Sequence, residues 1–255
     1  MQIPFVKMHG LGNDYVYIDC CVPETAKMLG GVDLHTLARD ISDRHRGVGS
    51  DGLVLILPSQ TADLRMRMFN ADGSEAEMCG NASRCVAKYG FEQGLCAQQM
   101  TLETLAGIKR LSLQPSNDET ETNVTVDMGK AMGNPHQVLF VDSLDALNTH
   151  FEYIRTSDDW AEERKQTNIE CVCVLNRKEV QIRVCERGTG ETMACGTGAC
   201  ATVMSAVEKG LTDRQVTVHM LGGDLSIRID EDGEVYMTGP ATEVFRGIYS
   251  WEGKR

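Results

Sequence analysis

Residues 64–80 read LRMRMFNADGSEAEMCG, and residues 180–196 read VQIRVCERGTGETMACG. Laid over each other at an offset of 116, residues 64–113 and 180–229 share eleven identities without a gap. Ordinary composition would give roughly three in fifty. The matches include Arg67/Arg183, Glu75/Glu191, Cys79/Cys195, Gly80/Gly196, Gly94/Gly210 and Gly107/Gly223. The chain therefore carries one supersecondary unit twice.

The pattern repeats along with the letters. Leu64–Met68 and Val180–Val184 both alternate apolar and polar, as a half-buried strand does. A polar loop follows, then Cys-Gly, then apolar residues at helical spacing: Ala82, Cys85, Val86 and Tyr89 in the first copy, Ala199, Val203, Ala206 and Val207 in the second. Gly94 and Gly210 stand where each helix should stop. A strand–turn–strand follows in both. A weaker echo, at an offset of 121, relates Gly12-Asn13-Asp14-Tyr15 to Gly133-Asn134-Pro135-His136.

These observations predict an α+β fold of two pseudo-symmetric domains, each a curved antiparallel β-sheet or barrel around a central helix, with an active-site cleft between them. The polar stretch Gln114–Asn123 places the boundary. The first domain is expected at 1–122 and the second at 123–255, with the C-terminal strand, about 244–255, free to pack back onto the first.

Among 255 residues the net charge is −12, which argues against nucleic acid as partner, because phosphates demand a basic surface. The longest apolar runs, such as Leu53–Leu57, are far too short to span a membrane. Lys7 and His9 interrupt what would be the apolar segment of a signal peptide, so a cytoplasmic location is expected. The ten cysteines then read as free thiols. None forms a CxxC and no spaced His pair follows, so no metal is expected.

Most of these cysteines read as small buried hydrophobes. Cys79 and Cys195 differ, because each opens a helix and precedes a glycine. Unpaired N–H groups and the positive end of the helix dipole favour anions there, so a thiol pKa below its usual value of about 8.5 is expected. Gly80 and Gly196 leave the backbone open to a ligand. Two such thiols, facing one carbon from opposite sides, could remove a proton from one face and deliver it to the other. The helix starts would meanwhile hold the carboxylate and the developing enolate-like charge. The competing reading makes the repeated Cys-Gly a relic of duplication, with both thiols packing under the helix starts.

At this point the motifs are recognisable. Met8-His9-Gly10-Leu11-Gly12-Asn13-Asp14, Phe69-Asn70-Ala71-Asp72-Gly73-Ser74-Glu75, Met78-Cys79-Gly80-Asn81, Gly133-Asn134-Pro135-His136 and residues 186–198 stand in order along nearly the whole chain. Together they resemble the diaminopimelate epimerase family. The resemblance implies interconversion of LL- and meso-diaminopimelate, without a cofactor, in lysine and peptidoglycan precursor synthesis. It implies Cys79 and Cys195 as the bases, assisted by His136 and Glu186. It implies that Gly80, Asn81, Gly196 and Thr197 hold the reacting carboxylate, and that Asn13, Asn70, Asn134, Asn168, Glu186 and Arg187 bind the rest of the substrate. The partner expected is thus a small amino acid; a homodimer is left open.

Four places depart from the family pattern: Gly52 for a frequent Gln, Ala82 for Gly, Cys185 for an aromatic, and Glu163–Gln166, which lacks a Phe-Pro. They bear on substrate preference. The nearest rival is a racemase of the same fold acting on histidine or hydroxyproline. A dithiol redox protein is disfavoured by the missing CxxC or resolving-cysteine spacing. A non-enzymatic small-molecule binding module is the third alternative.

Overall fold

The computed structural model describes residues 1–114, 121–130 and 135–253. In chain order its elements are β1 (Gln2–Gly10), β2 (Asn13–Asp19), α1 (Pro23–Leu29), α2 (Leu34–Ser42), β3 (Gly52–Leu57), β4 (Leu64–Asn70), β5 (Glu75–Ala76), α3 (Gly80–Glu92), β6 (Gln99–Thr104), β7 (Gly107–Gln114) and β8 (Glu121–Gly129). There follow β9 (His136–Val141), α4 (Leu144–Thr156), α5 (Glu163–Gln166), β10 (Asn168–Asn176), β11 (Glu179–Glu186), β12 (Gly190–Glu191), α6 (Gly196–Glu208), β13 (Gln215–Met220), β14 (Gly223–Ile229) and β15 (Val235–Ser250).

The chain forms two compact units, Met1–Val126 with Pro240–Arg255, and Asp127–Gly239. The first unit thus includes the C-terminal end of β15. Its strands run β1-β2-β3-β4-β6-β7-β8-β15, and β15 pairs with β1 as well, which closes an eight-stranded barrel. In the second unit the order is β15-β14-β13-β11-β10-β9. Closure leaves the first unit without an exposed edge on that path.

The expected antiparallel sheets are corrected to mixed ones. β2 pairs with β3 and β4 with β6 in parallel, as do β9 with β10 and β11 with β13. A parallel pair needs a long crossover, and helices supply it. Here α1 and α2 link β2 to β3, α3 links β4 to β6, α4 and α5 link β9 to β10, and α6 links β11 to β13.

α3 and α6 are the centres of their units, each of thirteen residues and separated by the offset of 116 read from the sequence. Every residue from Gly80 to Gly90 is buried, including the charged Arg84 and Lys88. Arg84 Nε donates to the Pro240 carbonyl at 3.0 Å, and Lys88 pairs with Glu92. These bonds repay part of the cost of burying the charges. In α6 the inward positions are small or aliphatic: Gly198, Ala199, Cys200, Val203 and Ala206.

Both helices end alike. Gly94 N–H donates to Phe91 O and Leu95 N–H to Gly90 O; Gly210 N–H donates to Val207 O and Leu211 N–H to Ala206 O. This is the Schellman pattern, and it needs a left-handed residue, which Gly94 and Gly210 supply with φ of 70° each. No atom lies within 4 Å of a Cβ built on either glycine, so substitution would strain the backbone alone. Gly94→Ala and Gly210→Ala should each cost about 1–2 kcal/mol and lower Tm by roughly 2–8 °C. Thermal melts by circular dichroism check this; unchanged Tm in both variants would contradict the cap assignment.

Candidate active site

In both units a strand delivers the chain to a short loop that is pinned before it reaches the cysteine. Arg67 grips Glu75 through two hydrogen bonds, at 2.7 and 3.0 Å, and Arg183 grips Glu191 at 2.8 and 3.0 Å. All four residues are repeat identities, and each pair ties β4 or β11 to the turn leading into a helix. Paired Arg–carboxylate bonds fix orientation as well as distance. Cys79 and Cys195 then take extended backbone angles and stand at the N-cap of α3 and α6.

Within the first unit, Cys79 is partly exposed. Its Sγ lies 3.6 Å from Asn13 Oδ1 and 4.0 Å from the Tyr15 hydroxyl. Asn13 also accepts from Asn81 Nδ2 at 3.2 Å, while its own Nδ2 donates to Asp51 Oδ2 at 2.7 Å. Because a carboxylate only accepts, Asp51 fixes which end of the Asn13 amide faces the thiol. Asp51 is steadied in turn by Arg44, at 2.9 Å. Arg44 and the buried Lys7 both pair with Asp14. Burial alone would raise the Asp14 pKa, yet hydrogen bonds from Arg44 and Lys7 hold it below the usual carboxylate range. Leu11, at the turn before Asn13, holds φ of 58°, which is unusual for a non-glycine residue. Asn70 sits at the end of β4, where its Nδ2 donates to Ser74 Oγ.

Within the second unit, Cys195 is 5% exposed. Its Sγ accepts from Gly198 N–H at 3.4 Å and lies 3.5 Å from Thr197 Oγ1. Glu186, at the end of β11, accepts from Thr192 Oγ1 at 2.6 Å, and its carboxylate lies near the Cys195 thiol. Asn168 is buried and accepts from the Arg187 backbone N–H at 2.9 Å. The Arg187 side chain is exposed and has no ion-pair partner among the described residues. His136 opens β9 and meets Glu170 at 2.7 Å. Asn134 lies outside the described residues.

The expected lowering of thiol pKa does not hold at Cys195. Burial, and then the nearby Glu186 carboxylate, push it well above the ordinary value. Hydrogen bonds from Thr197 and Gly198 N–H offset only part of this. Desolvation outweighs a helix terminus, whose effect is usually worth about 0.3–1 kcal/mol at an exposed site. Glu186 is itself raised, chiefly by burial. Tyr15 is raised as well by burial, so its hydroxyl stays a neutral donor. Cys85, one turn into α3, is wholly buried and pushed up to about 11.

Sequence reasoning did not single out Asp51, Tyr15, Thr192 or Glu170. Asp51 and Glu170 each carry a signal, a lone acid beside or within an apolar strand. Of the departures, Gly52 is explained by close strand approach: a Cβ there would stand 2.1 Å from Phe69 O. Cys185 packs in an apolar cluster with Phe151 and Ile154. Arg164, in the segment without Phe-Pro, donates to the carbonyls of Ile154 and Ser157 and so closes the end of α4.

The fold of two such units, each built round one central helix, is shared by several solved structures. A phenazine biosynthesis protein of the PhzF family from Bacillus anthracis superposes with a TM-score of 0.72 at 18% identity, covering 97% of this chain and 99% of that one. A hydroxyproline epimerase from Agrobacterium vitis gives 0.64 at 14% identity, covering 97% and 90%. The diaminopimelate epimerase family model matches twice, at residues 5–132 and 130–244, one match to each half of the repeat. Diaminopimelate epimerases from Pelotomaculum thermopropionicum and Methanococcus maripaludis (strain C6) are 44% and 42% identical to it, over 97% and 95% of this chain and 99% and 98% of theirs. The chain belongs to the diaminopimelate epimerase family and is an isomerase.

The raised Cys195 pKa can be read by alkylation. The rate of Cys195 modification by iodoacetamide, followed by peptide mass spectrometry, should have a pH midpoint above about 8.5. Glu186→Gln should move that midpoint down, because the variant removes a negative neighbour. A midpoint at or below the ordinary value in the parent would contradict the burial argument.

Proposed function

We propose that the chain interconverts LL- and meso-diaminopimelate by proton transfer at one α-carbon, with Cys79 and Cys195 as the acid–base pair and no added cofactor. The observation that carries this reading is the repeated N-cap cysteine, set in a chain whose relatives at 42–44% identity, nearly end to end, are named diaminopimelate epimerases. The solved structures speak for the fold alone. The reading requires the two thiols to reach the same carbon from opposite faces.

In this mechanism one sulfur enters as thiolate and the other as thiol. The thiolate removes the α-proton, charge moves into the substrate carboxylate, and the opposite thiol returns a proton to the other face. Burial and Glu186 favour the protonated form of Cys195, which suits it to enter as the acid. Glu186 is the adjacent group that can exchange a proton with it, its own pKa being raised toward that task. At Cys79, Asn13 and Tyr15 contact the sulfur and orient it. His136 assists the thiols in this scheme. Backbone N–H groups of Gly80, Asn81, Gly196 and Thr197 bind the reacting carboxylate, and charge developing there is stabilised at the two helix starts.

The distal amino-acid group needs its own partners. Arg187, exposed and without an ion-pair partner among the described residues, is assigned the distal carboxylate, with Asn13, Asn70, Asn134, Asn168 and Glu186 completing recognition. No helix among the described residues is long and apolar enough to cross a membrane. A cytoplasmic enzyme acting on a small amino acid, with a homodimer allowed, is the setting proposed.

Incubation with LL-diaminopimelate in heavy water, without pyridoxal phosphate, should place solvent deuterium at the inverted centre and leave the distal proton in place. Arg187→Met should lower kcat/KM by about 30-fold to several thousand-fold, since a desolvated carboxylate loses its partner. Exchange into single-ended amino acids, with diaminopimelate turnover equal in parent and Arg187→Met, would favour the histidine- or hydroxyproline-type reading.

A further inference from the structure

Glu170 is the one carboxylate among the described residues whose residue is buried, and its exposure is 0%. It interrupts an apolar run in β10, between Ile169 and Cys171. A carboxylate so placed needs a partner, because an isolated buried charge is very costly. The ion pair that the described residues supply is His136, whose Nδ1 lies 2.7 Å from Glu170 Oε1. The His136 side chain is itself 5% exposed. His136 Nε2 and Glu170 Oε2 are both buried and have no hydrogen-bond partner among the described residues.

Comparison of the two repeats shows that this arrangement belongs to one of them. The parallel ladders pair Tyr15 with Gly52 in the first unit and His136 with Asn168 in the second. Two residues further along each second strand stand Val54 and Glu170. At the offset of 116, Ala82 in α3 corresponds to Gly198 in α6. Where the first unit has a buried valine and a buried alanine, the second therefore has a carboxylate and a glycine. The exchange is steric as well as chemical: a Cβ on Gly198 would lie 2.7 Å from Glu170 Oε1 and 3.3 Å from Cys195 Sγ.

We propose that Glu170 is a positioning residue for proton transfer: it holds the His136 proton on Nδ1, leaving Nε2 as the acid–base atom, and Gly198 is glycine because the carboxylate occupies the space of a side chain. A carboxylate can only accept a hydrogen bond, so the Nδ1 it faces must donate. The bond made by one ring nitrogen decides what the other can do. Among the described residues, the ionisable groups in this neighbourhood are His136 from β9, Glu186 from β11 and Cys195 from α6, and Glu208 and Lys209 line a cavity with His136. Glu170 adds to the raising of both Glu186 and Cys195, so its charge also favours the protonated thiol.

The kinetic arm of the test rests on the epimerase reading; the spectroscopic arm does not. In uniformly ¹⁵N-histidine-labelled protein without substrate, the His136 signal, assigned with His136→Asn, should show the proton on Nδ1 and a bare Nε2. Glu170→Gln can offer an N–H to Nδ1, and Glu170→Ala offers nothing, so the Nδ1–H form should be reduced in both. Their kcat should fall by about 10²- to 10⁴-fold, with KM within about 3-fold. Gly198→Ala should lower kcat by about 10-fold or more in the parent, but by less than about 3-fold once Glu170 is alanine, because the two positions compete for one space. The inference is overturned if the parent carries the His136 proton on Nε2. It is also overturned if both Glu170 variants keep the parent tautomer, whether kcat stays within about 3-fold or falls only in step with Tm. If the tautomer behaves as stated while diaminopimelate is not turned over, the substrate reading fails and the role of Glu170 stands.

Discussion

A helix enclosed by strands must have both ends satisfied, because its first N–H groups and last carbonyls cannot turn to water. That constraint governs both units. At the C-terminal ends, Gly94 and Gly210 close the last turn with backbone bonds and leave little to vary. The N-terminal ends cannot be closed by the helix itself. In α6 one of these donors, Gly198 N–H, is taken by the Cys195 sulfur. A side chain with a soft, ionisable atom therefore stands where the helix favours an anion. Arg67–Glu75 and Arg183–Glu191 secure the approach to each start. The strand, the pinned loop and the N-cap cysteine thus form one continuous local arrangement in each unit, with the sulfur itself capping the helix in α6.

Duplication makes the two copies similar, and epimerisation benefits because its two directions are near mirror images. It does not need them to be identical. Cys79 is partly exposed and surrounded by an amide and a phenol, Asn13 and Tyr15. Cys195 is buried beside Glu186, with Glu170 adding to the repulsion. The substrate is asymmetric about its reacting carbon, with a long side chain carrying a second amino-acid group. Arg187, exposed and without an ion-pair partner among the described residues, is the cation proposed for that group. The two thiols thus stand in different surroundings, Cys195 buried beside acidic groups and Cys79 more open beside Asn13 and Tyr15.

Much of this was legible because repeats expose local rules. The offset of 116 placed α3 and α6, their caps and their terminating glycines, since each depends on a few adjacent residues. Parallel pairing was not legible: β2 and β3 are joined through two helices, and nothing in their alternation states which neighbour they take. The cysteines could be found as helix starts, but the sign of the Cys195 shift depends on burial and on Glu186, contacts that arise only when the sheet closes. Asp51 and Glu170 were visible as acids in or beside apolar strands, and their roles were not. Those roles follow from the register that brings Asp51 to Asn13 and Glu170 to His136. The family motifs named Asn168 and Arg187; the structure adds that the Asn168 side chain holds the Arg187 backbone.

In the proposed mechanism each sulfur serves one face of the carbon. This is tested most directly by measuring inversion and solvent exchange separately in Cys79→Ala and Cys195→Ala. Each variant is incubated with LL- or meso-diaminopimelate in heavy water, and α-deuterium and configuration are followed by nuclear magnetic resonance. Neither variant should invert its substrate at an appreciable rate. Each should slowly exchange the α-proton of one isomer with retention, and the two variants should choose opposite isomers. A single-cysteine variant that still inverted its substrate near the parent rate, with deuterium entering as it did so, would contradict the two-sulfur account.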